Sequence, residues 1–393
     1  MRRILIFSTV YYPRFIGGAE IAIKEITDRI SPQEIEFDMV TLRLDSRLPR
    51  FEKIGNVNIY RVGFATKQET SSDSLPWYLH INKYFFLLTG YLKAASLHRR
   101  RHYDAIWSLM ATYGSFAAVF FKICYPRVKF IFTLQDGDPI PYIKRRAWPL
   151  YPFFKMMFTR ADQIQAISQY LADWAKEMGA KAPVTVIPNA VDLKLFSQTT
   201  PPAQIQDLKS KLRKSDNDVF LITTSRLVVK NAVGDIIDAL TYLPANVKLL
   251  VLGQGYEEER LRAQVDRLKL GDRVNFLGYV PHAAMPKYLH VSEIFIRPAL
   301  SEGLGNSFLE AMAAGLPIIG TRVGGIPDFL IEGETGLFCE VNNPRSIAQK
   351  VEKLIKDRES RDYIVTRGKK MVEDKYEWHR ISEMMEEIFL RLV

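Results

Sequence analysis

Short runs of apolar, often β-branched residues alternate with longer segments of helical periodicity along the whole chain. Seven runs in the first half are predicted strands, at residues 3–9, 37–42, 57–62, 105–109, 129–134, 163–167 and 184–187. Six follow in the second half, at residues 219–223, 247–252, 274–277, 294–296, 317–320 and 337–340. Many of them are continuously apolar, which is typical of parallel strands covered by helices on both faces. Two successive sets therefore predict two doubly wound α/β domains.

A polar, proline-rich stretch separates the two sets. Residues 186–204, VIPNAVDLKLFSQTTPPAQ, leave a strand at Pro188 and continue through residues typical of loops. We therefore predict a first domain over residues 1–190 and a second over residues 191–375. A length of 393 residues also favours two domains. The chain ends in EWHRISEMMEEIFLRLV, an amphipathic pattern that predicts a helix.

The positive charge of the chain is confined to its first half. Residues 1–200 hold 27 Lys+Arg against 17 Asp+Glu, whereas the remainder holds 27 of each. A negatively charged partner is therefore expected to meet the first half, and nucleic acid and an anionic membrane are the usual partners of this kind. No nucleic-acid reading motif accompanies the charge, so we expect no nucleic-acid partner.

Cysteine usage and hydropathy indicate a protein of a reducing compartment without a membrane span. Cys124 and Cys339 lie in separate apolar runs without metal-ligand spacing, which predicts two buried free thiols. Residues 1–14 predict a buried first strand rather than a signal peptide, because their apolar run is short. The best candidate for a membrane span, residues 75–97, is interrupted by polar and charged residues.

Ligands of open parallel sheets bind at the carboxyl ends of strands, so residues that follow predicted strands are candidates for function. Gly17 and Gly18 follow the first strand and precede a helix, where they form either a plain loop or a close approach to an anion. Arg226 and Lys230 follow the strand that ends near residue 223. They are either a solvated pair or two cations that hold the oxygens of a diphosphate.

The stretch SEGLGNSFLEAMAAGLPIIG, residues 301–320, carries two glutamates next to glycines. Ser307 and Glu310 have the spacing of a helix capping box, which would explain Glu310 without any ligand. The capping box leaves Glu302 and the glycines unexplained. A flexible backbone at a helix start binds anions, and ionised carboxylates beside it accept hydrogen bonds from hydroxyls. A nucleotide-sugar carries both groups.

Three further motifs leave alternatives open. Gly253 and Gly255 form half of a dinucleotide fingerprint or a tight turn. Asp136 and Asp138 form a D-x-D that could hold a divalent metal between phosphates or belong to a turn. Residues 132–160 interleave basic and aromatic side chains, which suits a membrane interface, single-stranded nucleic acid or a packed helix with a solvated face.

Taken together, these motifs resemble the retaining glycosyltransferases of the GT-B fold, in glycosyltransferase family 4. The segment EGLGNSFLEAMAAGLPIIGTRVGGIPDFLIEGETGLF is similar to the E-x7-E region of that family, and IPNAVD, SRLVVKN and FLGYV match in order and spacing. The resemblance covers nearly the whole chain. It implies two Rossmann-like domains, of which the first is on the acceptor side and the second holds the donor, and a terminal helix of about residues 376–393 that crosses back to the first.

The resemblance also implies roles for individual residues. Arg226 and Lys230 would neutralise the leaving diphosphate, Glu302 would face hydroxyls of the transferred sugar, and Glu310 would bind the donor ribose. The other donor-binding positions implied are Gly17, Gly18, Gly278, Tyr279, Val280, Gly303, Leu304 and Gly305. No metal or other cofactor is expected, since the cationic side chains take the place of a metal.

One position departs from the family pattern. Many members have a histidine where this chain has Gln135, which can hydrogen-bond a sugar or acceptor but cannot transfer a proton. Asp136 and Asp138 are candidate substitutes on the acceptor side.

The expected function is transfer of a sugar, with retention, from a nucleotide-sugar to a hydroxyl of a glycan or lipid-linked acceptor, such as a membrane-associated polysaccharide precursor. The expected location is the cytoplasm, at the inner face of the cytoplasmic membrane. The alternatives are a nucleotide-sugar epimerase and a non-catalytic nucleotide-sugar-binding protein on the same fold.

Overall fold

The computed structural model describes residues 1–14, 17–67 and 77–392. Their contacts divide the chain into two units. Unit 1 comprises Met1–Asn189 and Trp378–Val393, and unit 2 comprises Ala190–Glu377. At the edge of unit 2 the Val191 N–H donates to the Tyr376 carbonyl (2.9 Å). The two ends of unit 2 therefore lie side by side.

Unit 1 is built on one sheet, in the order β3-β4-β2-β1-β5-β6-β7-β8. The strands in its described residues are β1 (Arg2–Phe7), β2 (Ile35–Leu42), β3 (Phe51–Ile54), β4 (Val57–Val62), β5 (Ala105–Leu109), β6 (Lys129–Leu134), β7 (Gln163–Ala166) and β8 (Val184–Val186). All neighbours are parallel except β3 and β4. Seven of the strands match predicted runs. The sequence analysis missed β3, an exposed edge strand in which apolar and charged residues mix.

Unit 2 carries a fully parallel sheet, in the order β11-β10-β9-β12-β13-β14. Its strands are β9 (Val219–Thr224), β10 (Val247–Leu252), β11 (Val274–Gly278), β12 (Ile294–Arg297), β13 (Ile318–Thr321) and β14 (Leu337–Cys339). All six match predicted runs. The chain builds outward from β9 to one edge and then returns to the other side at β12. The sheet therefore reverses its strand order between β9 and β12, and the predicted doubly wound α/β class is confirmed.

Helices connect the strands in both units. They are α1 (Gly18–Arg29), α2 (Trp77–Arg101), α3 (Tyr113–Cys124), α4 (Ile140–Ala147), α5 (Tyr151–Thr159), α6 (Gln169–Glu177), α7 (Leu193–Phe196), α8 (Pro202–Lys211), α9 (Val233–Ala239), α10 (Glu258–Arg267), α11 (Met285–His290), α12 (Asn306–Ala313), α13 (Pro344–Lys356), α14 (Arg358–Lys375) and α15 (Trp378–Leu392). Within the described ranges, no helix has both the length and the apolarity that a bilayer crossing requires.

The terminal helix α15 belongs to unit 1. Its Phe389 is fully buried, with ring centroids 5.7 Å from Phe37 on β2 and 5.1 Å from Trp107 on β5. Burying a phenyl side chain contributes roughly 2–3 kcal/mol to the free energy of folding. This helix is therefore part of the core of unit 1.

The prediction of two buried thiols is half wrong. Cys339, at the end of β14, is buried, whereas Cys124 is exposed. Cys124 is the last residue of α3, one turn beyond the buried Phe121, and the helix ends before its apolar face is covered again. The apolar run in the sequence predicted burial for Cys124, although the last residues of the helix are exposed.

Candidate functional site

The reversal of strand order in unit 2 positions the residues predicted for the donor. Strands β9 and β12 pair in parallel, with Leu221 opposite Ile294. Arg226 and Lys230 follow β9, and Glu302 follows β12. The two loops therefore leave the same edge of the sheet on adjacent strands, the place where open α/β sheets bind their ligands.

Arg297, the last residue of β12, connects the polar groups of this edge. Its Nη1 donates to Ser307 Oγ (2.9 Å), its Nη2 donates to Asn231 Oδ1 (3.0 Å), and its guanidinium forms an ion pair with Glu302. The side chains of Arg297 and Glu302 are each only 12% exposed. Arg297 was not among the predicted site residues. Its one signal was an arginine at the end of an otherwise apolar strand, IFIR.

Asn231 extends the network to the basic pair. The buried side chain of Asn231 donates from Nδ2 to the Arg226 carbonyl (2.6 Å), and the Lys230 carbonyl accepts from the Leu300 N–H (2.7 Å). The loop that carries the two cations is thus bonded to the loop that carries Glu302. Sequence reasoning missed Asn231 as well, because its partner Arg297 lies 66 positions away.

The G-x-G motif after β10 supports the loop of Arg226 through close backbone packing. A Cβ at Gly253 would lie 1.9 Å from the Ser225 carbonyl oxygen, and a Cβ at Gly255 would lie 2.1 Å from the Leu227 carbonyl oxygen. Neither contact could be made by a residue with a side chain. Of the two interpretations of this motif, the structure favours the tight turn.

The capping-box interpretation of Ser307 and Glu310 is wrong. Helix α12 begins at Asn306, and its N-cap is Gly305, whose φ of +102° is in the left-handed region. Ser307 therefore lies inside the first turn and accepts from Arg297 instead of capping the helix. Glu310 does not reach back to the helix start, because His282 Nε2 donates to its Oε1 (2.9 Å).

His282 links Glu310 to the segment expected to meet the donor base. Gly278 ends β11, and its carbonyl accepts from the Gly253 N–H (2.8 Å). Tyr279 is largely exposed and Val280 is half-buried. His282 stands two positions later, so one hydrogen bond joins this loop to α12. His282 was not predicted as a site residue, since an isolated histidine has no spacing pattern.

The backbone of residues 303–305 is buried, and one of its N–H groups is already bonded. Gly303 N–H donates to Glu302 Oε1 (3.0 Å), while Leu304 and Gly305 lie in the covered turn before α12. Gly324 packs against this turn, since a Cβ there would lie 1.8 Å from the Glu302 carbonyl oxygen. The carboxylate of Glu302 thus contacts both a guanidinium and a backbone amide of the turn before α12.

In unit 1, Gly17 and Gly18 begin helix α1. The Gly17 N–H donates to Glu20 Oε2 (2.8 Å), and Gly18 is the first helical residue. Burial raises the pKa of the Glu20 carboxyl above its ordinary value. The helix start predicted to approach an anion therefore bonds a carboxylate of its own chain.

The predicted acceptor-side residues follow β6 in unit 1. Gln135 Nε2 donates to Asn189 Oδ1 (3.1 Å), while its Oε1 is buried without a hydrogen-bond partner among the described residues. The buried Asp136 carboxylate accepts from the Ala111 N–H (3.1 Å to Oδ2), which closes the loop after β5. Asp138 is half-buried. Within the part of the chain that the structure describes, no group of three or more His, Cys, Asp or Glu side chains is arranged to hold a metal ion.

Two family models match the chain in succession. Residues 16–195 match the model described as Glycosyltransferase Family 4, and residues 204–371 match the model described as Glycosyl transferases group 1. The first match ends at residue 195 and the second begins at residue 204, and together they span most of the chain.

Known proteins are similar over long stretches. The N-acetyl-alpha-D-glucosaminyl L-malate synthase of Bacillus anthracis is 26% identical over 96% of this chain and 94% of its own length. A GDP-mannose-dependent monoacylated alpha-(1-6)-phosphatidylinositol monomannoside mannosyltransferase of Corynebacterium glutamicum is 29% identical over 58% of this chain and 62% of its own length. The structure of Anabaena HepE in complex with UDP-glucose superposes with a TM-score of 0.80 at 18% identity and covers all of both chains. The resemblance stated from the sequence is confirmed, and the chain belongs to the family 4 glycosyltransferases of the GT-B fold, with two Rossmann-like domains.

Proposed function

We propose that this chain is a retaining, metal-independent glycosyltransferase that moves a sugar from a nucleotide-sugar to an acceptor hydroxyl. The observation that carries the proposal is the bonded network at the strand reversal of unit 2. Through Asn231 and Arg297 it holds the loop of two cations next to the loop of a carboxylate. A nucleotide-sugar offers a diphosphate to the first loop and sugar hydroxyls to the second.

In this proposal Arg226 and Lys230 stabilise the charge that develops on the leaving diphosphate. Cationic groups aimed at developing charge act without reorganisation when their loop is already fixed, and this kind of stabilisation is often the largest contribution to catalysis. The bonds from Asn231 and Leu300 to the backbone of this loop supply that fixation. These cations take the role that a metal ion has in other phosphate chemistry.

The carboxylates are proposed to hold the two sugars of the donor. Glu310, fixed by His282, would accept from the ribose hydroxyls, and Glu302 would accept from hydroxyls of the transferred sugar. Segment 278–280 would contact the base through backbone groups. The backbone of residues 303–305 would donate to the diphosphate.

Unit 1 is proposed to be the acceptor side. Gly17 and Gly18 would bring backbone toward the phosphates, and Gln135 would hydrogen-bond the sugar or the acceptor. The Oε1 of Gln135, which has no hydrogen-bond partner among the described residues, belongs to a side chain oriented by Asn189, and this supports such a contact. Asp136 is less available, since its carboxylate already closes the loop after β5. Asp138 stays a proposed acceptor-side residue.

A membrane-associated acceptor, lipid-linked or a polysaccharide precursor, is the finer part of the proposal. Two observations support it. A relative of 29% identity acts, by its name, on a phosphatidylinositol mannoside, and the positive charge of this chain lies in its first half. Anionic lipids of the cytoplasmic leaflet attract such charge, so the proposed location is the inner face of the cytoplasmic membrane.

The test combines donor binding with product analysis. A thermal-shift screen of nucleotide-sugars identifies the donor, because a ligand that binds only the folded chain raises its melting temperature. Product analysis with that donor and candidate acceptors then separates the functions. Transfer supports the proposal, isomerised nucleotide-sugar without acceptor indicates an epimerase, and stabilisation without any product indicates a binding protein.

Lys230→Ala tests the assigned site, with Lys356→Ala as the matched control. Lys356 is an exposed lysine of α13 that pairs with Glu352 of its own helix (2.7 Å). We expect Lys230→Ala to lower the transfer rate by about 100-fold or more and the control to keep it. Undiminished transfer in Lys230→Ala would show that the leaving diphosphate is bound elsewhere.

A further inference from the structure

Helix α2 of unit 1 is apolar on two opposite faces. Its inner face buries Leu79, Phe86 and Ala94 within the unit. Its outer face carries five large apolar side chains that are 39–64% exposed: Ile81, Tyr84, Phe85, Leu88 and Leu92. We refer to these five residues as the outer stripe.

The spacing of the outer stripe places it on a single face of the helix. Steps of three, one, three and four residues repeat the period of an α-helix, so the five side chains stand within roughly 100° of one another. A surface helix of a globular protein ordinarily turns polar residues to water. A contiguous exposed apolar patch of this kind marks a binding surface.

The outer stripe continues into a basic and aromatic surface formed by α4 and the turn after it. The Tyr84 ring contacts Tyr113 edge-on, with centroids 5.1 Å apart, and the guanidinium of Arg146 on α4 lies near the Tyr113 hydroxyl. Arg145 also lies over the ring of Tyr142 (5.7 Å). Trp148, which directly follows α4, is 77% exposed.

The positive charge of the segment that carries this surface favours an anionic partner. Residues 77–160, which run from α2 through α5, contain thirteen lysines and arginines against three acidic residues, an excess of ten. The whole chain has a net charge of +10, so this segment accounts for all of it. A second copy of the chain would bring the same charge and be repelled. A surface of anionic lipid offers opposite charge to the basic residues and an apolar layer to the outer stripe.

We propose that the outer stripe and Trp148 dock unit 1 on an anionic bilayer surface. The apolar side chains enter the boundary between headgroups and acyl chains, and basic side chains such as Arg99, Arg100 and Arg145 contact the headgroups. This inference deepens the proposed function by naming the surface on which a membrane-associated acceptor would be met. Docking on the bilayer itself requires neither a bound donor nor sugar transfer.

Vesicle flotation with the full chain tests the proposal in the absence of donor and acceptor. Vesicles of phosphatidylcholine alone are compared with vesicles that contain 30 mol % phosphatidylglycerol, in 100 mM and 500 mM NaCl. The variant is Phe85→Ser/Leu88→Ser. The matched control is Tyr256→Ser/Tyr363→Ser, which removes two exposed aromatic rings from unit 2. Melting temperatures confirm that each variant folds.

The expected result has three parts. The wild-type chain floats with the anionic vesicles and not with the neutral ones, high salt releases it, and the Phe85/Leu88 variant binds at least about 10-fold more weakly. The control binds like the wild type. Equal flotation of the Phe85/Leu88 variant, or no flotation of the wild type, would overturn the proposal. So would a wild-type dimer in sedimentation velocity that the variant abolishes, because the stripe would then be an interface between copies.

The two proposals can fail separately. If the chain transfers sugar to a water-soluble acceptor but does not float with vesicles, the docking proposal fails and the proposed function stands. A chain that floats but forms no product contradicts the proposed function and leaves the docking intact.

Discussion

Replacement of Arg297 by methionine would test whether one guanidinium holds together the polar network at the strand reversal of unit 2. Methionine keeps much of the length and the apolar stem of arginine and removes all its donors. Glu302 would lose its ion pair, and Ser307 and Asn231 would each lose a hydrogen bond (2.9 and 3.0 Å). The fold around β12 would otherwise stay packed.

The structure gives a magnitude for the loss. Removing one partner of a mostly buried ion pair costs about 3–5 kcal/mol, because the remaining charge stays without compensation. Glu302 keeps its bond from the Gly303 N–H and is 12% exposed, so the lower end of that range applies. We expect Arg297→Met to lower the free energy of unfolding of unit 2 by about 3 kcal/mol. In Arg297→Met/Glu302→Gln no charge is left unpaired, and the double variant should recover at least about 1 kcal/mol relative to the sum of the single changes.

The tryptophans of the chain allow the two units to be followed separately. All five tryptophans, at positions 77, 107, 148, 174 and 378, lie in unit 1. Urea unfolding detected by tryptophan fluorescence therefore reports unit 1, whereas far-ultraviolet circular dichroism reports both units. Arg297→Met should shift a transition seen by circular dichroism and leave the fluorescence transition in place. A loss below about 1 kcal/mol, or purely additive single changes, would refute the idea that Arg297 organises the site.

Two further predictions concern carboxylates of unit 2. Glu310→Gln should weaken donor binding about 10-fold in calorimetric titration and leave the melting temperature unchanged, because the Glu310 carboxylate is proposed to accept from the donor and not to cap the helix. A lower melting temperature with normal donor binding would indicate a structural role for Glu310 instead. Burial and the neighbouring charge of Asp238 raise the pKa of Asp235, so ionisation of Asp235 costs stability as the pH rises through its folded-state pKa. Asp235→Asn should therefore melt higher than the wild type at pH 8 and equally at pH 4 in scanning fluorimetry. A difference that persists at pH 4 would show that the carboxylate charge is not the cause.

The strands were predictable because burial on both faces leaves a direct signal. Runs such as VFLI in β9 and IFI in β12 are continuously apolar, and parallel strands covered by helices need that composition. The edge strand β3 was missed because its sequence, FEKI, is short and only partly apolar. A partly exposed edge strand has no such requirement, so its sequence resembles a loop.

Residues of the candidate site could be predicted only where they lie in a loop that follows a predicted strand. Arg226 and Glu302 could be selected because each lies in the loop that follows a strand. Asn231, Arg297 and His282 could not, because each acts through a partner far away in the sequence. The spacing of a capping box was present, yet the helix starts before Ser307, at a glycine whose left-handed backbone the sequence did not reveal.

Glu20 and Glu302, which each stand beside a glycine-containing turn, have the same structural role. A helix start leaves backbone N–H groups without partners inside the helix, and groups covered by protein cannot be left unsatisfied at no cost. In unit 1 the Glu20 carboxylate accepts from one of these groups, the N-cap N–H of Gly17. In unit 2 the Glu302 carboxylate accepts from the Gly303 N–H, which lies in the covered turn two positions before the N-cap Gly305. The two carboxylates therefore satisfy covered N–H groups of these turns within the chain itself, and Glu302 is held there by its ion pair with Arg297. A diphosphate bound as proposed would have to displace each carboxylate from its N–H group.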